Sequence, residues 1–180
     1  MSKTNRFAVF TLAFAALVGL TACQQPAPPP PEPVPSAADQ AATVAAANEA
    51  AAKRVIDEAL SKGNIAVIDE LFAPDFVEHQ PFPPEVPKGV DGLKWFVENF
   101  RKAFPDVTIR VDQTVASGDL VATRATWKGT HQGEWMGLKP TGKSIEFESY
   151  DIIRFKDGKV VEHWGLDSSE QALSAAKNSK

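Results

Sequence analysis

Two periodicities divide this chain. From residue 37 apolar side chains recur at helical spacing, and after Pro105 they recur at every second position. Residues 37–62 are alanine-rich, carry Val55, Ile56, Ala59 and Leu60 on one side and stop at Gly63, which predicts a helix whose first half projects from the domain. Asn64 is placed to cap a short second helix running to Phe72 and ended by Pro74. Residues 75–79 follow as a short strand, and Pro81, Pro83, Pro84 and Pro87 impose a loop. Leu93, Phe96, Val97, Phe100 and Phe104 mark a third helix, closed by Pro105. Residues 107–116, 120–131, 143–155 and 159–166 alternate and are separated by turn residues, so they read as strands of a mostly antiparallel sheet. Helices followed by strands give the α+β class, with N-terminal helices packed on a curved sheet around a conical cavity.

The Asp157-Gly158 turn decides which side chains share that cavity. A two-residue loop would set Ile153 opposite Glu162 and Ile152 opposite His163, leaving charge on both faces. A three-residue loop over 156–158, with Gly158 at the left-handed position, instead pairs Asp151 with His163 and Ser149 with Gly165. The second register is the expected one. It gathers Phe147, Ser149, Asp151, Ile153, Phe155, Val161 and His163 on one face and sends Glu146, Glu148, Arg154 and Glu162 to the other. The same alternation sets Trp127 and His131 beside Thr123 and Ala125, so the cavity is expected to hold His131, Asp151 and His163, walled by Trp127 and Phe147. Trp95 on the third helix reads as packing. Trp164 falls on the outer sheet face with Tyr150 and Ile152, where exposed aromatics predict a partner surface, most simply a homodimer.

The N-terminus carries Lys3 and Arg6 and then an apolar run over 7–20, the pattern of a secretory signal rather than a membrane span. The run ends Leu20-Thr21-Ala22-Cys23, which resembles a bacterial lipobox. Residues 1–22 are then a signal peptide and Cys23 the lipidated N-terminus of the mature chain. Cys23 is the single cysteine, so no intrachain disulfide is available to an exported protein whose stability must come from its core. One acyl chain anchors only marginally, whereas the two or more chains of a lipoprotein hold firmly. Gln24 after the cysteine resembles outer-membrane sorting, which predicts a lipid-anchored protein of the bacterial envelope facing the periplasm. Half of the 14 prolines fall between residues 24 and 36. Two readings are open for this part of the 23–40 linker: a polyproline stalk reaching roughly 40 Å, or a disordered leader.

The remaining residues, 41–180, suffice for one domain with its own core. Loss of Lys3 and Arg6 takes the formal net charge from −4 to −6. With no basic stripe, the domain is a poor candidate for nucleic acid. The sequence has no internal repeat, phosphate loop, paired-cysteine metal motif or nucleophile elbow.

Two stretches carry the chemistry: WKGTHQGEWMGLKPTGK over 127–143 and RFKDGKVVEHW over 154–164. Together they resemble the SnoaL-like polyketide cyclase family, also called ester cyclases, of the nuclear transport factor 2-like (cystatin-like) superfamily, over roughly residues 50–170. The resemblance implies a conical fold, no cofactor and no metal, and a polar residue near His79 at the pocket rim. It also implies an acidic residue near the end of the last strand, acting as acid and base in an intramolecular aldol closure. Gly165 stands at that position. Asp167 follows with the same parity, and Asp151 occupies a position where the cyclases have a histidine.

A carboxylate and an imidazole sharing an apolar cavity can hold one proton between them and exchange it near neutral pH. Asp151, His163 and Asp167 are accordingly the candidate catalytic residues, and His79, Trp127, His131 and Phe147 the candidate substrate-binding residues. The alternative for Asp151 and His163 is a polar pair that only fixes the sheet, and for His131 a hydrogen bond within the following loop. Two functions follow from these readings. One is a cofactor-independent acid–base enzyme acting on a small, mostly apolar carbonyl or ester compound. The other is a non-catalytic envelope lipoprotein that binds an apolar ligand in the same pocket.

Overall fold

A computed structural model describes residues 34–178. The expected signal peptide, Cys23 and most of the expected proline-rich linker lie outside the described residues.

The first helix, α1 (Ala37–Arg54), begins with a capping box. The Ser36 hydroxyl accepts from the Asp39 backbone N–H while the Asp39 carboxylate accepts from the Ser36 backbone N–H. Its first half is exposed, as its composition predicts, and it meets the sheet from Asn48 onward, where Asn48 Nδ2 donates to the Gly118 carbonyl at 3.0 Å. The helix then widens into a π-helical stretch, Val55–Leu60, closed by Ser61 N–H donating to the Ile56 carbonyl. Widened turns of this kind frequently mark functional sites. Here the turn delivers Val55, Ile56 and Leu60 to the cavity wall.

Helix α2 (Ala66–Leu71) is shorter than expected, starts at Ile65 without a side-chain cap, and passes directly into strand β1 (Phe72–Glu78). Pro74 therefore lies inside a strand instead of ending a helix. β1 is an edge strand, and its ladder to β5 is interrupted between Phe72 and Val77, so a missing N–H is tolerated there. Helix α3 (Gly89–Ala103) carries the aromatic stripe read from the sequence, with Phe104 just beyond it.

The sheet comprises β1, β2 (Thr108–Ser117), β3 (Leu120–Thr130), β4 (Ser144–Lys156) and β5 (Lys159–Asp167), in the order β1-β5-β4-β3-β2. Only the β1–β5 pair is parallel. A closing helix, α4 (Ser169–Asn178), went unforeseen. Its Leu173 is buried in an aromatic cluster with Phe100, Trp127, Trp135 and Phe147.

The final hairpin corrects the expected register. Asp157 and Gly158 both take positive φ, 51° and 75°, and form a two-residue turn in which Lys156 faces Lys159 and Phe155 faces Val160. Such a turn matches the right-handed twist of its strands. The extra residue sits in β5 instead, where a bulge at Val161 restores the parity that the turn alone would have broken. Ile153 consequently pairs with His163, Asp151 with Gly165 and Ser149 with Asp167. Val160, fully buried, takes the inward place expected for Val161. The segregation of charge survives: Asp151 and His163 share the inner face, while Arg154 and Glu162 meet on the outer face at 3.2 Å.

Candidate active site

A cavity of about 670 Å³ lies between the inner sheet face and the helices. Along β4 the inward positions change from apolar Phe155 and Ile153 to polar Asp151 and Ser149 and back to Phe147. A polar band thus crosses an otherwise apolar chamber, which is the arrangement that fixes a ligand's orientation at low desolvation cost. The aromatic side is rigid: Phe100 meets Trp127 edge-on at 5.4 Å and Trp135 at 5.0 Å, and Trp127 stacks on Phe147 at 5.6 Å.

The polar groups form one continuous chain. Trp127 Nε1–H donates to Ser149 Oγ at 2.9 Å, and Ser149 Oγ–H donates to Asp151 Oδ2 at 2.8 Å. On the other side of Asp151, His163 Nε2–H donates to Oδ1 at 3.2 Å. His163 Nδ1–H donates to the Glu78 carboxylate at 2.8 and 2.9 Å. Both imidazole nitrogens face carboxylate oxygens, so with Glu78 and Asp151 ionised both carry hydrogen and the ring is an imidazolium. Burial on its own would lower the His163 pKa. The hydrogen bonds to Asp151 and Glu78, with their negative charges, outweigh burial and raise it to about 9. The side chains of Glu78, Asp151 and His163 remain 14–22 % exposed, enough for a molecule in the cavity to touch them.

Glu78 was missed in the sequence because the short strand offered too little alternation. The signal was present nonetheless: Phe72 and Phe76 are core residues, and Glu78 shares the parity of Phe76. The parallel ladder supplies the rest, since His79 N–H donates to the His163 carbonyl and Glu78 lies beside His163 in register.

The same parity turns His79 outward and corrects its expected place at the pocket rim. Its ring stacks on Trp164 at 4.6 Å, and its Nε2 is 3.5 Å from Glu162. His131 is corrected as well. It is fully buried and stacked on Phe104 at 5.1 Å, with Nδ1 3.4 Å from Thr141 Oγ1, and it lies off the cavity wall. Burial holds its pKa below the usual value of 6.5, against an upward influence from the Gly133 backbone. Its place one residue beyond the end of β3 put it within reach of the loop's packing instead of the pocket.

Asp167 does reach the cavity lining, but both of its oxygens are engaged. Oδ1 accepts from Ser169 N–H at the start of α4 at 2.8 Å, and Oδ2 accepts from Gln80 Nε2 at 3.0 Å. Gly165 lies opposite Asp151 in the middle of the polar group. A Cβ there would come within 2.6 Å of Gln80 Oε1, 2.9 Å of His163 Cε1 and 3.1 Å of Asp151 Oδ1. Only glycine admits this convergence.

Helices on one face of a curved, mostly antiparallel sheet, enclosing an apolar chamber crossed by a chain of hydrogen-bonded polar groups, define a conical α+β fold. The chain belongs to the SnoaL-like polyketide cyclase family, whose model matches residues 50–172. Similar solved structures include IdmH from Streptomyces antibioticus, a candidate polyketide cyclase. It is 33% identical, with a TM-score of 0.63 over 73% of this chain and 99% of its own. AclR from Streptomyces galilaeus, a candidate hydroxylase, is 31% identical, with a TM-score of 0.64 over 76% of this chain and 99% of its own. TsrD from Streptomyces laurentii, 21% identical with a TM-score of 0.64 over 72% of this chain and 96% of its own, shares the fold. No match is found among curated proteins. Family membership suggests cofactor-independent chemistry of the cyclase or isomerase type.

Proposed function

We propose that the protein transfers a proton alpha to the carbonyl of a small, mostly apolar ketone or ester, with Asp151 as the base. The observation that carries this reading is the chain from Trp127 through Ser149 and Asp151 to His163 and Glu78, set across the apolar cavity. When the substrate C–H bond breaks, the proton passes to Asp151 and the electron pair moves to the carbonyl oxygen. Protonated Asp151 then has less hold on His163 Nε2–H, which turns to the developing enolate oxygen while Glu78 keeps the imidazolium charge in place. Return of the proton to another carbon gives isomerisation, and attack of the enolate on a second carbonyl gives ring closure. Trp127 and Phe147 position the substrate against this edge. Asp167, held by Ser169 and Gln80, braces the site in preference to carrying the proton. Cys23 would hold the domain at the envelope membrane through lipid.

The test follows α-deuterium incorporation into small aryl ketones and β-keto esters in D2O by NMR. Asp151→Asn keeps size and most hydrogen bonding, and exchange should fall by about 10² or more with the fold intact. Unaltered exchange in this variant would remove Asp151 from the mechanism and make Asp167→Asn the next variant. If neither change matters and the purified protein retains an unreacted apolar ligand, the binding-protein reading takes its place.

A further inference from the structure

We infer that Gln80 selects substrates bearing a hydroxyl next to the reacting carbon, by offering its side-chain carbonyl as acceptor beside Asp151; this deepens the proton-transfer reading and rests on it. The orientation of the amide is dictated chemically. An ionised carboxylate can only accept, so Asp167 Oδ2 requires the amide nitrogen of Gln80, 3.0 Å away, to face it. Asp167 cannot swing aside, because Oδ1 is held by Ser169 N–H at 2.8 Å. The other end of the amide, Oε1, is thereby turned toward the polar group, 2.6 Å from the position a Cβ of residue 165 would occupy. Gln80 is anchored a second time through its backbone N–H, which donates to Glu78 Oε1 at 2.8 Å, so it is fixed to the carboxylate that holds His163.

Gln80 Oε1 accepts no hydrogen bond from any described residue. The atoms converging with it are His163 Cε1 and Asp151 Oδ1, a carbon and another acceptor. No N–H or O–H group is among the three atoms nearest that point, and the cavity onto which Gln80, Asp151 and Gly165 all open admits a ligand there. A substrate hydroxyl fits this deficit. Donating its one O–H to Gln80 Oε1, it leaves the carbon that bears it facing the Asp151 base. An isostere with methyl in place of hydroxyl leaves the acceptor unpaired on closure, and a site built to bond a hydroxyl discriminates against such analogues.

The experiment uses two ketones of nearly equal shape, 2-hydroxyacetophenone and propiophenone. For each, the enzymatic α-deuterium exchange kcat/KM is divided by the buffer-catalysed rate, and Kd is read from quenching of the Trp127 and Trp135 fluorescence. Wild type should favour the hydroxyketone by about 10-fold, the scale of one neutral hydrogen bond. In Gln80→Met the ratio should collapse toward unity, whatever happens to either rate alone. In Asp167→Asn, where the new amide accepts Gln80 in either orientation, the ratio should fall part of the way, with the Gln80 side chain present throughout. A wild-type ratio near one, or an unchanged ratio in Gln80→Met, overturns the inference. Failure of the proton-transfer reading shows differently, as absence of exchange with both ketones or as exchange unaffected by Asp151→Asn. In that case the Kd ratio alone decides the role of Gln80.

Discussion

Raising pH from 6.5 to 9 should destabilise this protein. His163 has a pKa near 6.5 in the unfolded chain and about 9 in the folded one. Between those values the native state binds more protons than the unfolded state, so stability falls as pH rises. The contribution is fully present below pH 6.5 and is lost as pH passes through 9. At 1.36 kcal/mol per pKa unit, the full effect is about 3 kcal/mol. For a domain of this size that corresponds to a drop in Tm of roughly 6–12 °C. Thermal melts of wild type and of the Glu78→Gln/Asp151→Asn double variant, across pH 6–9.5 at constant ionic strength, would measure it. The double variant leaves His163 with burial but without the carboxylates that raise its pKa, so its melting temperature should lose this decline. The imidazole Cε1–H resonance of His163 should titrate with a midpoint near 9 in wild type and well below it in the double variant. Stability that stays flat or rises over pH 6.5–9 in wild type, or an equal decline in both proteins, would refute the imidazolium clamp.

Three further outcomes are expected. Gly165→Ala places a Cβ within 3.1 Å of Gln80, His163 and Asp151, so α-deuterium exchange should fall by about 10-fold or more and stability by about 1–3 kcal/mol, read from exchange rates and denaturant melts. His131, with its pKa depressed by burial, should favour the unfolded state as pH falls below 6.5; His131→Leu should flatten that acid limb in melts between pH 6.5 and 5. Cys23→Ser should move the protein from the membrane to the soluble fraction or leave it unprocessed, and a variant that fractionates and matures like wild type would exclude the lipid anchor.

Strands and aromatic helices were legible because burial imposes a period. Phe96, Phe100 and Phe104 had to share a side, and the alternation of β4 had to put Asp151 with Ile153 and Phe147. What escaped was set by single residues. The extra residue of the final hairpin was expected in the loop at Gly158 but lies at Val161. Both placements restore the same parity, and only the burial of Val160 against Phe155 separates them. Glu78 was overlooked and His79 was placed at the rim by resemblance alone, because the short strand with Pro74 inside it offers too little alternation to tell inside from outside. Helix α4 was missed because its apolar positions are small except for Leu173, and it is held by the aromatic cluster more than by its own pattern.

The departure at Gly165 is better understood in space than in alignment. The resemblance places an acidic side chain near the end of the last strand, and Gly165 has none. Yet Asp151 is its direct cross-strand partner, and the Asp151 carboxylate reaches over the glycine until Oδ1 lies 3.1 Å from where a Cβ on residue 165 would be. A carboxylate from β4 thus supplies negative charge at the point where β5 would have carried it. The exchange has a geometric condition, since the acid can cross only if residue 165 has no side chain. It also has an electrostatic one, because a carboxylate at position 151 in place of a histidine leaves the imidazole to come from elsewhere, and His163 provides it from β5, with Glu78 behind it. Against the pattern the resemblance implies, this chain has its acid on β4 and its imidazole on β5, both facing the cavity. Restoring the family pattern at one position alone, as in Gly165→Asp, should therefore not restore a cyclase site: a second carboxylate would be forced against Asp151 and displace Gln80 and His163. Loss of exchange activity in that variant is the expected result, and a gain would show that the two acids act independently.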